Sequence, residues 1–355
     1  MLPPRNAGQL RRAAAWILGQ GRRLAAGLRT GDTLPPELRH AIHNTKLLGA
    51  LLARQAYAEG RAGPGVAAPE HPVLVRLGGR LCRQEDIEAP WLHHWCARLG
   101  MVPLYHRKVW EECFVAQALW EAGMLAPGRR ALGFAVGREL LPAFAAAQGV
   151  QVLATDLARG ESRARIWHGT GQHAEGADHL FHPHLLPREV FDARVAFRAV
   201  DMAAIPDDLR RGGFDALWSV CAFEHLGSLE SGLDFVLRAM DCLRPGGIAV
   251  HTTEYNLAET GPTLGSGVTV LYQRRHIEAL GARLAAAGHQ LLPVDFGTGG
   301  GVLDGFVDLP PFSAPDGTQP VADTPHLRKT HAEHVVTSIG LIIRAGAAGP
   351  KGETA

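Results

Sequence analysis

The chain has 355 residues, of which 46% are hydrophobic, so it can form one large domain with an appendage around a sizeable core. Its 36 basic and 35 acidic side chains leave a formal net charge of +1, and only 6% of the residues are aromatic, which together argue against a broad nucleic-acid surface. The five cysteines are dispersed without a C-x-x-C pair, a usage typical of reduced thiols, and we expect a cytoplasmic protein.

The N-terminal segment is basic and has helical periodicity. Residues 1–60 contain nine Lys or Arg against three Asp or Glu, and apolar spacing predicts one helix over about 10–28 and another after Pro36. Two interpretations stay open: a helical hairpin with a solvated basic face, or a surface that contacts a membrane or an acidic partner.

The domain boundaries follow from composition. We predict a helical extension over 1–60, a linker over the Gly- and Pro-rich 61–72, and a flexible tail over 346–355. Between them lies one large domain over 73–345, with N-terminal helices over 73–128 and a sheet-containing core over 129–345.

Residues 131–156 have the pattern of a nucleotide-binding unit. An apolar strand enters the glycine turn at residues 133–137, a helix follows, and a second strand ends on Asp156. Such a turn lets the backbone approach a ligand closely, and an acidic residue about 20 positions later can bind both ribose hydroxyls. NAD remains an alternative ligand, although the third glycine of its G-x-G-x-x-G pattern would fall on Arg138.

Further strands follow in alternation with helices, which predicts an α/β fold with a mostly parallel sheet. They are expected over residues 195–200, 214–219, 248–252, 290–294 and 334–344.

Several motifs in this order resemble those of the class I S-adenosylmethionine-dependent methyltransferases. They are the turn at 133–137, Asp156, Asp201 with Met202, F-D-x-x-W-S…E-H-L over 214–226, and L-R-P-G-G over 243–247. The motifs T-G-Q-H-A, E-H-L-G-S-L-E and H-T-T-E at 170–174, 224–230 and 251–254 resemble a bacterial subfamily whose substrate is not settled. The resemblance covers about residues 132–344 and implies a Rossmann-like, seven-stranded sheet with helices on both faces and an antiparallel last strand.

The resemblance also implies S-adenosyl-L-methionine as cofactor and a set of residues that bind it. These are Gly133, Phe134, Ala135, Gly137, Glu139, Asp156, Asp201, Met202 and Cys221. Two positions depart from the family's acidic-x-G-x-G-x-G loop, because Ala131 replaces the acid and Ala135 the middle glycine. Glu139 or a loop carbonyl could replace the missing acid as partner of the methionine ammonium, and Asp201 has the alternative role of a helix cap.

Catalysis of methyl transfer needs alignment and, for a hydroxyl acceptor, a base. The candidate catalytic residues are His225, Glu254 and His251, although His225 could equally shape the turn after its strand. The candidate substrate-binding residues are Arg107, Trp110, Gln172 and His173, together with Lys108, and Trp110 has core packing as its alternative. Five histidines crowd residues 168–184, but without cysteine or carboxylate in a fixed ligand pattern we predict no metal site.

The sequence therefore predicts S-adenosylmethionine-dependent methyl transfer to a hydroxyl of a small-molecule or glycan-like acceptor, with no nucleic-acid partner. Two alternatives remain, an NAD-dependent oxidoreductase and a catalytically silent protein that binds S-adenosylmethionine.

Overall fold

A computed structural model describes residues 35–158, 173–313 and 318–346. Its helices are α1 (Pro36–Ala58), α2 (Gln84–Ile87), α3 (Pro90–Leu99), α4 (Arg107–Glu121), α5 (Leu141–Ala147), α6 (Arg188–Arg194), α7 (Asp207–Arg210), α8 (Leu229–Ala239) and α9 (Arg274–Ala286). Its strands are β1 (Gly79–Leu81), β2 (Arg130–Phe134), β3 (Gln151–Asp156), β4 (Val195–Ala199), β5 (Phe214–Val220), β6 (Leu243–Asn256), β7 (Gln290–Leu291), β8 (Val294–Asp295), β9 (Lys329–His331) and β10 (His334–Arg344).

The strands of the described residues form one sheet in the order β4-β3-β2-β5-β6-β10-β1-β8, and β7 and β9 also pair with β10. Strands β4, β3, β2, β5 and β6 run parallel to one another, whereas β10 is antiparallel to β6. The prediction of a mostly parallel α/β sheet with an antiparallel last strand is therefore confirmed. The predicted number of strands, seven, is wrong, because the sheet has ten.

Both faces of the sheet are covered, as the alternation of side chains along its strands requires. In β5, Ala216 and Trp218 pack into one core cluster, which also contains Phe114 of α4 and Phe144 of α5. The intervening Leu217 lies in a second cluster with residues of α8 and α9. Since all three β5 side chains are at most 1% exposed, the almost continuous apolar run of this strand reflects burial on both faces.

The sixth strand of the sheet is longer than the sequence predicts. Strand β6 runs from Leu243 to Asn256, whereas the predicted strand covered only 248–252. It includes the L-R-P-G-G motif over 243–247, where its pairing register with β5 shifts. Glu254, which was expected just past the strand predicted over 248–252, therefore lies inside β6, as His251 does. The predicted strand over 290–294 is two short strands, of which β7 pairs with β10 and β8 with β1.

The predicted helix after Pro36 is α1, and it packs against the main body through residues such as Ile42, Ala50 and Ala53. The helix expected over 10–28 lies outside the described residues, as does the predicted tail. Between Ala58 and Gly79 the chain forms turns and bends with no helix or strand, and the proposed division into domains stays a prediction. None of the helices that the structure describes is long and apolar enough to cross a membrane.

Candidate active site

A cavity of about 650 Å³ lies beyond the carboxyl ends of β2, β3, β4 and β5. Strand β2 pairs with β3 on one side and with β5 on the other, so the chain reverses its direction across the sheet at this point. Open α/β sheets bind ligands at such a switch point. The predicted site residues that line the cavity are Ala135, Gly137, Glu139, Asp156, His173, Asp201, Met202, Cys221 and His225.

The glycine turn after β2 is shaped by close packing and by unusual backbone angles. A Cβ atom on Gly133 would lie 2.5 Å from Val136 Cγ1 and 2.8 Å from the Trp218 ring, so only glycine fits there. Gly137 has φ of 52°, and Ala135 has φ of 49°, in the left-handed region that a side chain disfavours. The turn thus keeps the backbone path of a glycine loop although its middle position carries a methyl group.

Asp156 connects this turn to the end of β3. Its Oδ2 accepts hydrogen bonds from the backbone N–H of Gly137 at 3.2 Å and of Ala174 at 3.1 Å, while Oδ1 accepts from Leu157 N at 2.8 Å. Burial raises the pKa of Asp156, and these N–H groups act against that rise. The carboxyl group is thereby held at the cavity wall next to the glycine turn.

Asp201 and Met202 follow β4 and begin a short 3₁₀ turn, Met202–Ala204. Asp201 Oδ1 accepts from Ala203 N at 2.9 Å, so the residue caps this turn, as its alternative interpretation proposed. Asp201 also lines the cavity. Met202 is buried and presents a thioether to the same wall, a side chain suited to the face of an aromatic ring.

Cys221 follows β5 and has φ of 44°, the second residue of the cavity wall with a side chain in the left-handed region. Its Sγ lies 3.1 Å from Glu111 Oε1, and burial raises the pKa of the thiol well above its usual value. Strained backbone of this kind concentrates at functional sites.

A buried cluster of charged groups lies behind Cys221. Arg107 donates to Glu111 Oε1 at 3.1 Å and to Glu254 Oε1 at 2.6 Å, and Lys329 Nζ is 2.7 Å from the same Glu254 oxygen. Burial acts to raise the pKa of Glu254, but Arg107 and Lys329 outweigh it and hold that pKa below its usual value. Glu254 is therefore a stable anion and a weak base.

His225 belongs to the 3₁₀ turn after β5, Phe223–His225. Its Nδ1 is 2.9 Å from the carbonyl oxygen of Val268, which can only accept, so the proton belongs on Nδ1 and the basic lone pair on Nε2. His173 also lines the cavity, and its Nε2 is 2.8 Å from the carbonyl oxygen of Leu157.

Other predicted residues lie away from the cavity wall. His251 is fully buried, with Nδ1 2.8 Å from Ser219 Oγ, and burial lowers its pKa to about 3. Trp110 is fully buried and donates from Nε1 to Asp86 Oδ2 at 2.9 Å, as its core alternative proposed. Gly133, Phe134, Arg107 and Glu254 are also not among the lining residues, and Gln172 lies outside the described part of the chain.

The sequence analysis missed two charged residues of the wall, Glu112 and Arg138. Glu112 belongs to α4, which the sequence places before the first strand of the core, and Glu112 Oε2 accepts from Leu140 N at 3.1 Å. The adjacent Lys108, which the sequence suggested, lines the cavity as well. Helical spacing from Lys108 to Glu112 was the one available signal, because residues four apart share a helix face.

Within the residues that the structure describes, no group of three or more His, Cys, Asp or Glu side chains is arranged to hold a metal ion. His168, the first of the five clustered histidines, lies outside those residues.

Comparisons with known proteins give distant structural similarities. No family model and no curated protein matches the chain. Among solved structures, the [4+2]-cyclase SpnF is 18% identical over 67% of this chain and 84% of its own, with a TM-score of 0.42. Magnesium protoporphyrin IX methyltransferase from Synechocystis PCC 6803, with bound SAH, is 10% identical over 78% of this chain and 90% of its own, with a TM-score of 0.39. Geranyl diphosphate C-methyltransferase from Streptomyces coelicolor A3(2) is 15% identical over 66% of this chain and 76% of its own, also with a TM-score of 0.39. At TM-scores this low, the similarities carry no argument about this chain's activity.

Proposed function

We propose that this protein binds S-adenosylmethionine in the cavity beyond β2–β5 and transfers its methyl group to a hydroxyl of a small-molecule or glycan-like acceptor. One observation carries the proposal: the glycine turn, Asp156, Asp201 with Met202, and Cys221 follow four different strands and line the same cavity. These residues are among those that the resemblance assigns to the cofactor.

The chemistry of the wall suits each part of the cofactor. A side chain at Gly133 would clash with Val136 and Trp218, and glycine there keeps the turn on the path along which its backbone would contact the amino-acid part of the cofactor. Asp156 would accept from the ribose hydroxyls, and Met202 with Asp201 would contact the adenine face and edge.

When bound, the cofactor supplies a methyl group already activated on a sulfonium, and its transfer to oxygen forms an O–C bond, breaks the C–S bond and releases the hydroxyl proton. His225 would accept that proton at Nε2, since its Nδ1 is held by the Val268 carbonyl. Glu254 and His251 take no part, because the first is a stable anion in ion pairs and the second is buried behind Ser219.

The first test is calorimetric titration with S-adenosylhomocysteine and, separately, with NAD. We expect binding of the first alone, and binding of NAD alone would replace the proposal by the oxidoreductase alternative. Methyl transfer from radiolabelled cofactor to a panel of hydroxyl acceptors then separates an enzyme from a silent binder.

The role of His225 is tested by His225→Gln. We expect methyl transfer to fall by about two to four orders of magnitude, the usual contribution of a general base, while affinity for S-adenosylhomocysteine changes little. His40→Gln, on the exposed face of α1, is the matched control and should retain full activity. Equal activity of the two variants would exclude His225 as the base.

A further inference from the structure

Two carboxyl groups on one wall of the cavity take no part in the methyl-transfer step described above, and only one of them, Glu139, is a residue that the sequence suggested for the methionine ammonium. Glu112 comes from α4 and Glu139 from the turn that leads into α5, and both line the cavity. Glu112 Oε2 contacts the backbone N–H of Leu140, the residue that follows Glu139, so the two side chains belong to the same stretch of the wall. Helix α4 thus brings a second carboxyl group to the cofactor side of the sheet.

Each of these groups is anchored through one oxygen. Glu112 Oε2 accepts from the backbone N–H of Leu140 at 3.1 Å, and Glu139 Oε2 accepts from Trp218 Nε1 at 3.0 Å. Within the described parts of the chain neither carboxyl group forms an ion pair, and the neighbouring Lys108 pairs with Glu111 at 2.9 Å instead. Burial raises the pKa of both carboxyl groups and Lys108 acts to lower it, but among the described residues Lys108 forms an ion pair with neither of them.

The other acids of the cavity wall have different partners. Asp156 accepts three backbone N–H groups, and Asp201 caps the turn after β4. Strand β2 supplies no acidic side chain, since Arg130–Phe134 reads R-A-L-G-F. A cationic group that enters next to the glycine turn therefore meets Glu112 and Glu139.

On the premise of the proposed function, we propose that Glu112 and Glu139 jointly bind the α-ammonium group of the cofactor's methionine part and release a proton when they do so. An ammonium group offers three N–H donors, enough for the second oxygen of each carboxyl group. The proton leaves a carboxyl group for the solvent, and the ammonium keeps its own charge.

The direction in which pH changes the affinity depends on whether the two carboxyl groups are protonated before the ligand binds. Burial raises the pKa of Glu112 to about 7 and that of Glu139 well above its usual value, so the pair retains protons near neutrality, with Glu112 about half protonated at pH 7. A cation favours the ionised forms and lowers both pKa values. Affinity should then rise with pH, by about tenfold per pH unit where one proton is released, and weaken as the pH falls.

Other charged groups near the pair could contribute to this dependence. They are Lys108 and Glu111 on α4, Asp156 at the end of β3, and His182, whose ring bonds to the backbone of Glu139. A ligand that lacks the ammonium group contacts the same neighbouring charges. A comparison of the pH dependence of binding of the two ligands therefore isolates the contribution of Glu112 and Glu139.

The experiment compares S-adenosylhomocysteine with its analogue in which hydrogen replaces the α-amino group. In Glu112→Gln and Glu139→Gln, affinity for S-adenosylhomocysteine should fall roughly ten- to one-hundredfold, the scale of a hydrogen bond to a charged group, while affinity for the analogue changes little. Glu189→Gln, at an exposed position of α6, is the control and should bind both ligands as the unchanged protein does. An equal loss of affinity for both ligands would show that Glu112 serves only to cap α5. The inference would then be wrong, but the assignment of the cofactor would stand.

Proton release is measured on the unchanged protein, so this readout does not depend on the folding of any variant. Calorimetric titrations in two buffers of different ionisation enthalpy should show more protons released by S-adenosylhomocysteine than by the analogue. Equal release by the two ligands would overturn the inference. A protein that binds neither ligand would contradict the proposed function itself.

Discussion

Asp156 shows how one side chain can serve both the fold and the site. It accepts from Gly137 in the glycine turn and from Ala174 beyond the segment that follows β3, so its charge is stabilised by backbone N–H groups at the cavity wall. The same carboxylate is the group proposed to bind the ribose hydroxyls. A change at Asp156 should therefore weaken ligand binding even if the chain folds.

Asp156→Asn keeps the shape of the side chain and removes its charge. We expect affinity for S-adenosylhomocysteine to fall by about 1–3 kcal/mol, or roughly 5- to 150-fold, because a charged acceptor is lost. Calorimetric titration measures the change, and Asp178→Asn is the control, since that side chain is 79% exposed in a surface ion pair with Arg188. If Asp156→Asn and Asp178→Asn bind alike, Asp156 does not contact the ligand.

Single residues also mark how far the sequence determines the site. Asp156 was predicted from its position after the glycine turn, and Asp201 and Cys221 from the resemblance. Each follows a recognisable strand, and the carboxyl ends of parallel strands converge at one edge. Glu112 could not be found in this way, since its place at the cavity depends on how α4 packs over the sheet. Glu254 was expected at the exit of its strand, because the sequence does not reveal that β6 continues to Asn256.

At the level of elements, the turn after β2 stores backbone strain. Ala135 has φ of 49°, a conformation that costs a residue with a side chain about 1–2 kcal/mol. Glycine adopts this conformation freely but loses about 0.4–1 kcal/mol through the greater freedom of the unfolded chain. The two effects have opposite signs, and the strain is the larger.

Ala135→Gly should therefore raise the free energy of unfolding by about 0.5–1 kcal/mol, as measured by urea denaturation. The control is Ala285→Gly on the exposed face of α9, where the backbone is helical and the same substitution should cost about 0.5–1 kcal/mol. Destabilisation by both substitutions would mean that the turn carries no strain at Ala135.

Elements differ in how well the sequence predicts them. The strands β2 to β6 and β10 follow from apolar runs, since burial on both faces of a sheet demands them. Strands β1 and β9 have three residues each, too few for a periodic pattern, and they form because the edge of the long strand β10 offers unpaired backbone groups. Such strands are set by tertiary pairing rather than by their own sequence.

At the scale of the whole molecule, α1 is joined to the main body by a buried ion pair. Lys46 is 2% exposed and contacts Asp308, which also accepts from His326 Nδ1 at 2.8 Å. The His326 ring stacks on His106, with 4.7 Å between centroids, directly before α4. These contacts connect α1 through Asp308 and His326 to the helix that carries Glu112 into the cavity.

Lys46→Ala should therefore lower the free energy of unfolding of the whole protein by about 3 kcal/mol or more, because it leaves Asp308 as a buried charge without its cation. The control lies on the same helix: Arg54 pairs with Asp323 at 2.8 Å, but the two side chains are 53% and 36% exposed, so Arg54→Ala should cost less than about 1 kcal/mol. Denaturation followed by tryptophan fluorescence and by circular dichroism should give one coincident transition for both variants, since α1 shares its core contacts with the main body. Two separate transitions, or equal losses in the two variants, would mean that α1 unfolds independently and that its buried lysine contributes no more than a surface pair.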